Sequence, residues 1–169
     1  MSTSPSPPSP SVLPWSHAAA GLVLAAALIG GAGRAHAALG DPATAVANDR
    51  AALQGSLKTT STAAFDVHEI TAPADTTVRE YASRDGTVFA VTWSGPRVPD
   101  LHVVLGRYYA AYVAGATAAA GRTHRAGHHV LSFTAPSLTA EVVRFQRRAL
   151  GRVYLPTHLP AGVTPGDLR

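Results

Sequence analysis

His124, His128 and His129 are the densest set of candidate metal ligands in the chain. At i, i+4 and i+5 they converge if the segment is helical, and neutral imidazole suits zinc or copper. Two glycines, Gly121 and Gly127, argue instead for a solvated basic loop over 121–129, and no carboxylate nearby in sequence orients the rings. His68-Glu69 opens like a zinc-protease motif, but Ala72 stands where the second histidine belongs and the pattern around it is that of a strand. Glu69 and Glu80 are the pair of carboxylates that acid–base chemistry would use, and Arg79 and His68 are placed to neutralise them more simply. There is no G-x-S-x-G serine motif and no cysteine. With neither a nucleophile–base pair nor a metal signature, the chain is expected to be non-catalytic and to carry no cofactor.

Cationic chemistry is better represented. Arg144, Arg147, Arg148 and Arg152 cluster near the end of the chain. From Ala38 to Asp100 eight acidic residues face five basic ones, whereas from Leu101 onward eight arginines face only Glu141 and Asp167. Two readings follow: the halves attract each other across one fold, or the second half offers a basic surface to an anionic partner. An anionic envelope component or an acidic protein fits that surface, and nucleic acid is set aside because the chain carries an export signal.

That signal is Ala18–Ile29, an uninterrupted apolar run, followed by small residues ending in Ala35-His36-Ala37. The A-x-A pattern places signal-peptide cleavage between Ala37 and Ala38. Residues 1–16 are rich in Ser and Pro and lack the Lys or Arg usual before such a run. The run is shorter than the about 20 residues a spanning helix needs, so no membrane span is expected after cleavage. The product is expected in the periplasm or outside the cell. Without cysteine it has neither disulfides nor a lipid anchor and is held together by burial alone. A remaining chain of about 130 residues, 38–169, suits one domain with a sizeable core.

Local patterns then position the chemistry. Thr44–Leu53 reads as a short helix with Thr44 as its N-cap, and Leu57–Ala64 as strand or loop. Phe65–Thr71 and Thr77–Ser83 read as strands around the turn Ala72–Thr76. Pairing Thr71 with Thr77 sets Glu69 opposite Arg79, His68 opposite Glu80, Val67 opposite Tyr81 and Ile70 opposite Val78. Asp85-Gly86 marks a second hairpin turn, followed by a nearly continuous apolar strand, Thr87–Trp93. Asp100 then caps a helix whose stripe is Leu101, Leu105, Tyr108 and Tyr112, widened by Val104 and Ala111. Val130–Thr134, Thr139–Gln146 and Arg152–Leu155 read as strands; Val143 and Phe145 share one face, and Arg144, Gln146 and Arg148 the other. The proline-rich end, from Pro156, is expected to be irregular and on the surface. The fold class is α+β: an antiparallel sheet with helices on one face, as two tandem α-βββ units.

The chain also resembles a family of bacterial secreted proteins, domain of unknown function 2844. The resemblance rests on Ala38-Leu39-Gly40, Asp49-Arg50, VHEIT (Val67–Thr71), VREY (Val78–Tyr81), GTVFAVTWSGP (Gly86–Pro96), PDL (Pro99–Leu101), LGRYY (Leu105–Tyr109), GRVYLP, LPAGV and Asp167-Leu168-Arg169. It implies export and no assigned activity, so no site residue is carried over. The functional expectation is an exported periplasmic or envelope binding module; the alternative is a periplasmic protein that binds a small molecule, or a metal at its histidines.

Overall fold

The computed structural model describes residues 38–120, 124–125 and 128–169, with side chains left aside for 124, 125 and 128. The expected signal peptide and its cleavage motif, 1–37, lie outside the described residues. The described residues belong to one compact unit. In chain order its elements are α1 (Val46–Ala52), β1 (Ser56–Ser61), β2 (Phe65–Ala72), β3 (Thr76–Ser83) and β4 (Val88–Gly95). Then come α2 (Leu101–Leu105), α3 (Tyr109–Ala119), β5 (His124–Arg125), β6 (His128–Thr134), β7 (Thr139–Phe145) and β8 (Arg148–Tyr154).

The strands form one antiparallel sheet in the order β1-β2-β3-β4-β8-β7-β6-β5. Each half of the chain is thus a helical segment followed by a four-stranded meander, and the halves join where β4 pairs with β8. The α+β class with helices on one face holds. Each unit has one strand more than expected. β1 is fully exposed and polar, so no apolar alternation marks it, and β5 is only two residues long. The segment expected as a loop over 121–129 contains a hairpin, in which His124 pairs with His129 and Arg125 with His128.

Several elements form for the reasons the residues give. The β2–β3 register is the expected one: Glu69 opposite Arg79, His68 opposite Glu80, Val67 opposite Tyr81, Ile70 opposite Val78. Ala74 and Asp75 close that hairpin in the left-handed region, with φ of 61° and 56°. The Asp100 side chain accepts from His102 N at 2.9 Å, capping α2. Val104, Leu105 and Tyr112 are buried, and Leu101 and Tyr108 pack beside them.

The helix does not run on from α2 to α3. It breaks at Gly106, whose φ is 46°, and a Cβ there would stand 2.4 Å from Ala38 Cβ. The arriving chain, 38–42, occupies that space: Leu39 N donates to Val104 O (3.1 Å) and Gly40 N to Val88 O (2.7 Å). Thr44 does not cap α1. A 3-10 turn, Ala43–Ala45, precedes the helix, and the bridge from Pro42 to Thr87 fixes how the chain enters.

The helix-side core joins Leu39 and Val46 to Ile70, Val78, Val91, Trp93, Phe133, Ala140 and Val153. Gly151 does not open a strand but lies inside β8. The Trp93 ring fills its side-chain position, where a Cβ would come within 2.0 Å. The other face carries a smaller cluster, Tyr81, Phe89 and Ala90, covered by Leu159, Val163 and Leu168. Phe65 packs edge-on against Tyr81 and Phe89, with centroids 5.7 and 6.0 Å apart. The end of the chain is irregular, as expected, but it is a strap over the sheet rather than a loose surface segment, and Leu168 is buried.

Candidate functional site: an arginine–carboxylate row under the strap

Strand alternation puts every second residue on the strap side. Across six neighbouring strands the paired positions there are Lys58, Glu69, Arg79, Thr92, Arg152 and Glu141. The sheet thus carries one polar row, flanked by an aromatic row (Val67, Tyr81, Ala90, Tyr154) and a smaller apolar one (Leu150, Val143). Arg79 Nε meets Glu69 Oε2 at 2.7 Å, and Arg152 Nη2 meets Glu141 Oε2 at 2.5 Å.

The same guanidinium groups hold the strap. Arg79 Nη1 donates to the Arg169 carbonyl at 3.2 Å, beside the Tyr81 hydroxyl, which donates to that oxygen at 2.5 Å. Arg152 Nη1 donates to the Pro165 carbonyl, while its Nε is buried without a hydrogen bond among the described residues. Thr164 N and Oγ1 each donate to Asp167 Oδ2 at 2.8 Å, which shapes the last turn and holds that carboxyl below its ordinary value. Where the strap ends, an open cleft of about 230 Å³ remains. Of its four charged lining residues three are arginines, Arg79, Arg152 and Arg169; the fourth is Glu141. Thr92 and Ser94 line it as well, with Val143, Leu150 and Leu168 as apolar wall.

The family described as "Protein of unknown function (DUF2844)" matches residues 35–168. The chain belongs to this family. No curated protein and no solved structure matches it. The row and cleft of this DUF2844 protein therefore have to be read from their own chemistry.

The arginines singled out from the sequence are not brought together on one face. Arg152 lies in the row. Arg148 is two strand positions from Leu150, on the strap side. Arg147 is exposed in the β7–β8 turn, where Gln146 has φ of 42°. Arg144 pairs with Ala149 and belongs to the helix side, near enough to Tyr112 to oppose the upward push that burial gives its hydroxyl. A strand continued through Gln146, as the sequence pattern suggests, would put Arg144 and Arg148 on one face. The tight turn reverses the chain and sets Arg148 opposite Phe145. No ion pair among the described residues involves Arg144, Arg147, Arg148 or Arg169.

Among the described residues no three metal-ligating side chains converge. His129 faces His124 across the hairpin by backbone register; the side chains of His124 and His128 lie outside the described residues.

Glu80 departs most from expectation. It is one residue beyond Arg79 and so points to the helix side, where it is fully buried. His68, placed opposite it by register, bonds Thr59 Oγ1 at 2.9 Å instead, and burial lowers its pKa. Glu80 faces the carboxyl of Asp49 from α1, also fully buried. Beyond the hydrogen bond it shares with the Asp49 carboxyl, no donor among the described residues reaches either Glu80 oxygen. Burial first, and the Asp49 carboxyl second, push the Glu80 pKa up to about 10, so it keeps a proton at neutral pH. The β2–β3 register already implied that Glu80 turns away from Arg79; nothing in the sequence of α1 marks Asp49 as its partner.

Proposed function

We propose that this protein is an exported, non-catalytic binding module that engages an anionic envelope component or an acidic protein at the strap side of its sheet. The observation that carries the reading is the distribution of cations there. Glu69 and Glu141 are taken up by Arg79 and Arg152, while Arg148, Arg169 and the turn residue Arg147 stand at the open end of that face with no ion pair among the described residues. Such a surplus attracts anions over about a Debye length and loses that attraction as salt rises. Export is supported by the apolar run Ala18–Ile29 and the Ala35-His36-Ala37 motif, with cleavage after Ala37. No helix of the described residues is long and apolar enough to cross a membrane.

The test is affinity capture from an envelope extract with the processed protein, against a variant carrying R147E, R148E and R169E. A partner retained at low salt, released at high salt and lost in the variant is the expected result. A partner that survives both changes overturns the assignment of the surface. The cleft itself favours a second reading, a small-molecule site, for which ligand-dependent rises in Tm are the measurement. Its metal form is decided by zinc and copper calorimetry against a variant with alanine at His124, His128 and His129.

A further inference from the structure

The cleft left open at the end of the strap has an apolar wall and a cationic one. Ser94, Leu150 and Val143 pair side by side across β4, β8 and β7, two residues beyond the polar row on the same face of the sheet. The strap packs Leu159, Val163 and Leu168 onto the cluster around Tyr81 and Phe89, and neither Leu150 nor Val143 belongs to that cluster. Leu150 is left 39% exposed, one of three large hydrophobic side chains exposed among the described residues. Leu168, although buried in the strap cluster, lines the cleft too.

The cationic wall is not neutralised. Arg79 and Arg152 are each paired with a carboxylate, Glu69 and Glu141, and each also donates to a strap carbonyl. Arg169 adds a third guanidinium. Its Nε donates to Gly166 O at 3.4 Å, and it has no ion pair among the described residues. Asp167, whose carboxyl Arg169 helps to hold down, is bonded to Thr164. The cleft therefore carries a positive charge in surplus beside an uncovered aliphatic surface. A cation is repelled by the three guanidinium groups, and a neutral apolar molecule would strip water from them without replacing its hydrogen bonds. A phosphate group, with a charge of about −1.5 to −2 at neutral pH, exceeds the surplus. A carboxylate matches it in charge and fits the planar fork of a guanidinium. The volume, about 230 Å³, is below the roughly 300–1,000 Å³ of pockets that take drug-sized ligands, so the occupant is close to one amino-acid side chain in size. We propose that this cleft binds a small aliphatic monocarboxylate, with its carboxylate among the guanidinium groups and its hydrocarbon on Leu150 and Val143. The inference rests on the small-molecule reading of the cleft given above and names the class of molecule.

Isocaproate, a branched aliphatic carboxylate, is the probe. Isohexanol keeps the hydrocarbon without the charge, and acetate keeps the charge without the hydrocarbon. Each is titrated into the isotope-labelled processed protein and followed by amide NMR shifts. The expected result is saturable shifts with isocaproate at Ser94, Val143, Leu150 and Leu168, and binding at least about tenfold weaker for isohexanol and for acetate. Arg169→Gln is expected to bring isocaproate down toward isohexanol and to leave isohexanol unchanged. Leu150→Ser, at an exposed position, is expected to bring isocaproate down toward acetate and to leave acetate unchanged. Unshifted helix-side amides check that both variants keep the fold. Isohexanol or acetate binding as tightly as isocaproate overturns the inference and leaves a small-molecule cleft standing. Isocaproate binding that neither substitution weakens lies outside the cleft and overturns the inference as well. No saturable shift with any of the three also overturns it, and Tm rises with other small molecules then decide the wider reading.

Discussion

Arg79 and Glu80 are adjacent on one strand and live in opposite electrical worlds. Arg79 faces the strap side, about one-third exposed, tied to Glu69 at 2.7 Å and to a strap carbonyl. Glu80 faces the helix side, fully buried, against another acid. The strap side spends its charges in opposite pairs across neighbouring strands, which costs little desolvation and holds a polar row over the sheet. The helix side holds two like-signed groups in a core that is otherwise apolar, and keeps them by retaining a proton. A two-residue period thus separates a surface of paired charges from a buried titrating site within one strand. The surface pairs are held by opposite charge; the buried pair is held by the hydrogen bond that a retained proton allows between Glu80 and Asp49.

The difference between the faces can be broken at its apolar supports first. Phe89 is the fully buried centre of the strap-side cluster, so Phe89→Ala should cost about 3–5 kcal/mol and loosen the strap. Urea unfolding, together with faster proteolysis after residue 155, would register it. On the helix side, Gly151→Ala drives a methyl into the Trp93 ring and should cost about 1–3 kcal/mol, read from the midpoint of urea unfolding with unchanged m-value.

Glu80→Gln sharpens the comparison through pH. The folded pKa of Glu80, about 10, lies above its unfolded value, so the folded state binds more protons between them. Its contribution is fully present below the unfolded value and falls as pH rises toward 10, at up to about 1.4 kcal/mol per pH unit. Glu80→Gln should therefore flatten this slope and add about 1–3 kcal/mol at pH 7. Melting curves of the wild type and the variant from pH 5 to 9 measure the sign.

The smallest effect belongs to the surface. Both partners are about one-third exposed, so Glu69→Ala should cost about 0.2–1 kcal/mol, less in high salt. A salt-independent loss of several kcal/mol would mean that the row carries the fold rather than decorating a face.

Much of the first half was legible before any tertiary information. The Val67–Thr71 and Val78–Tyr81 strings carry matching apolar and charged positions, and a short turn between them leaves one register that satisfies both. The Asp-Gly turn and the Asp100 cap are equally local. Of the candidate site, the Glu69–Arg79 end of the row followed from that register. Its continuation through Thr92, Arg152 and Glu141 did not, because β4 pairs with β8 from the far half of the chain.

The sequence by itself determined the α+β class, the central hairpins, the apolar stripe of the helical segment and the surplus of cations in the second half. Each of these depends on periodicity or composition within a few adjacent residues, where backbone geometry leaves few choices. The tertiary structure alone decided that the helix breaks where Ala38 docks, that Gly151 receives the Trp93 ring, and that the proline-rich end straps the second face. It also decided that Glu80 meets Asp49 rather than His68. These are outcomes of packing between distant segments. Burial and charge pairing depend on which groups converge in space, and sequence spacing does not encode that convergence.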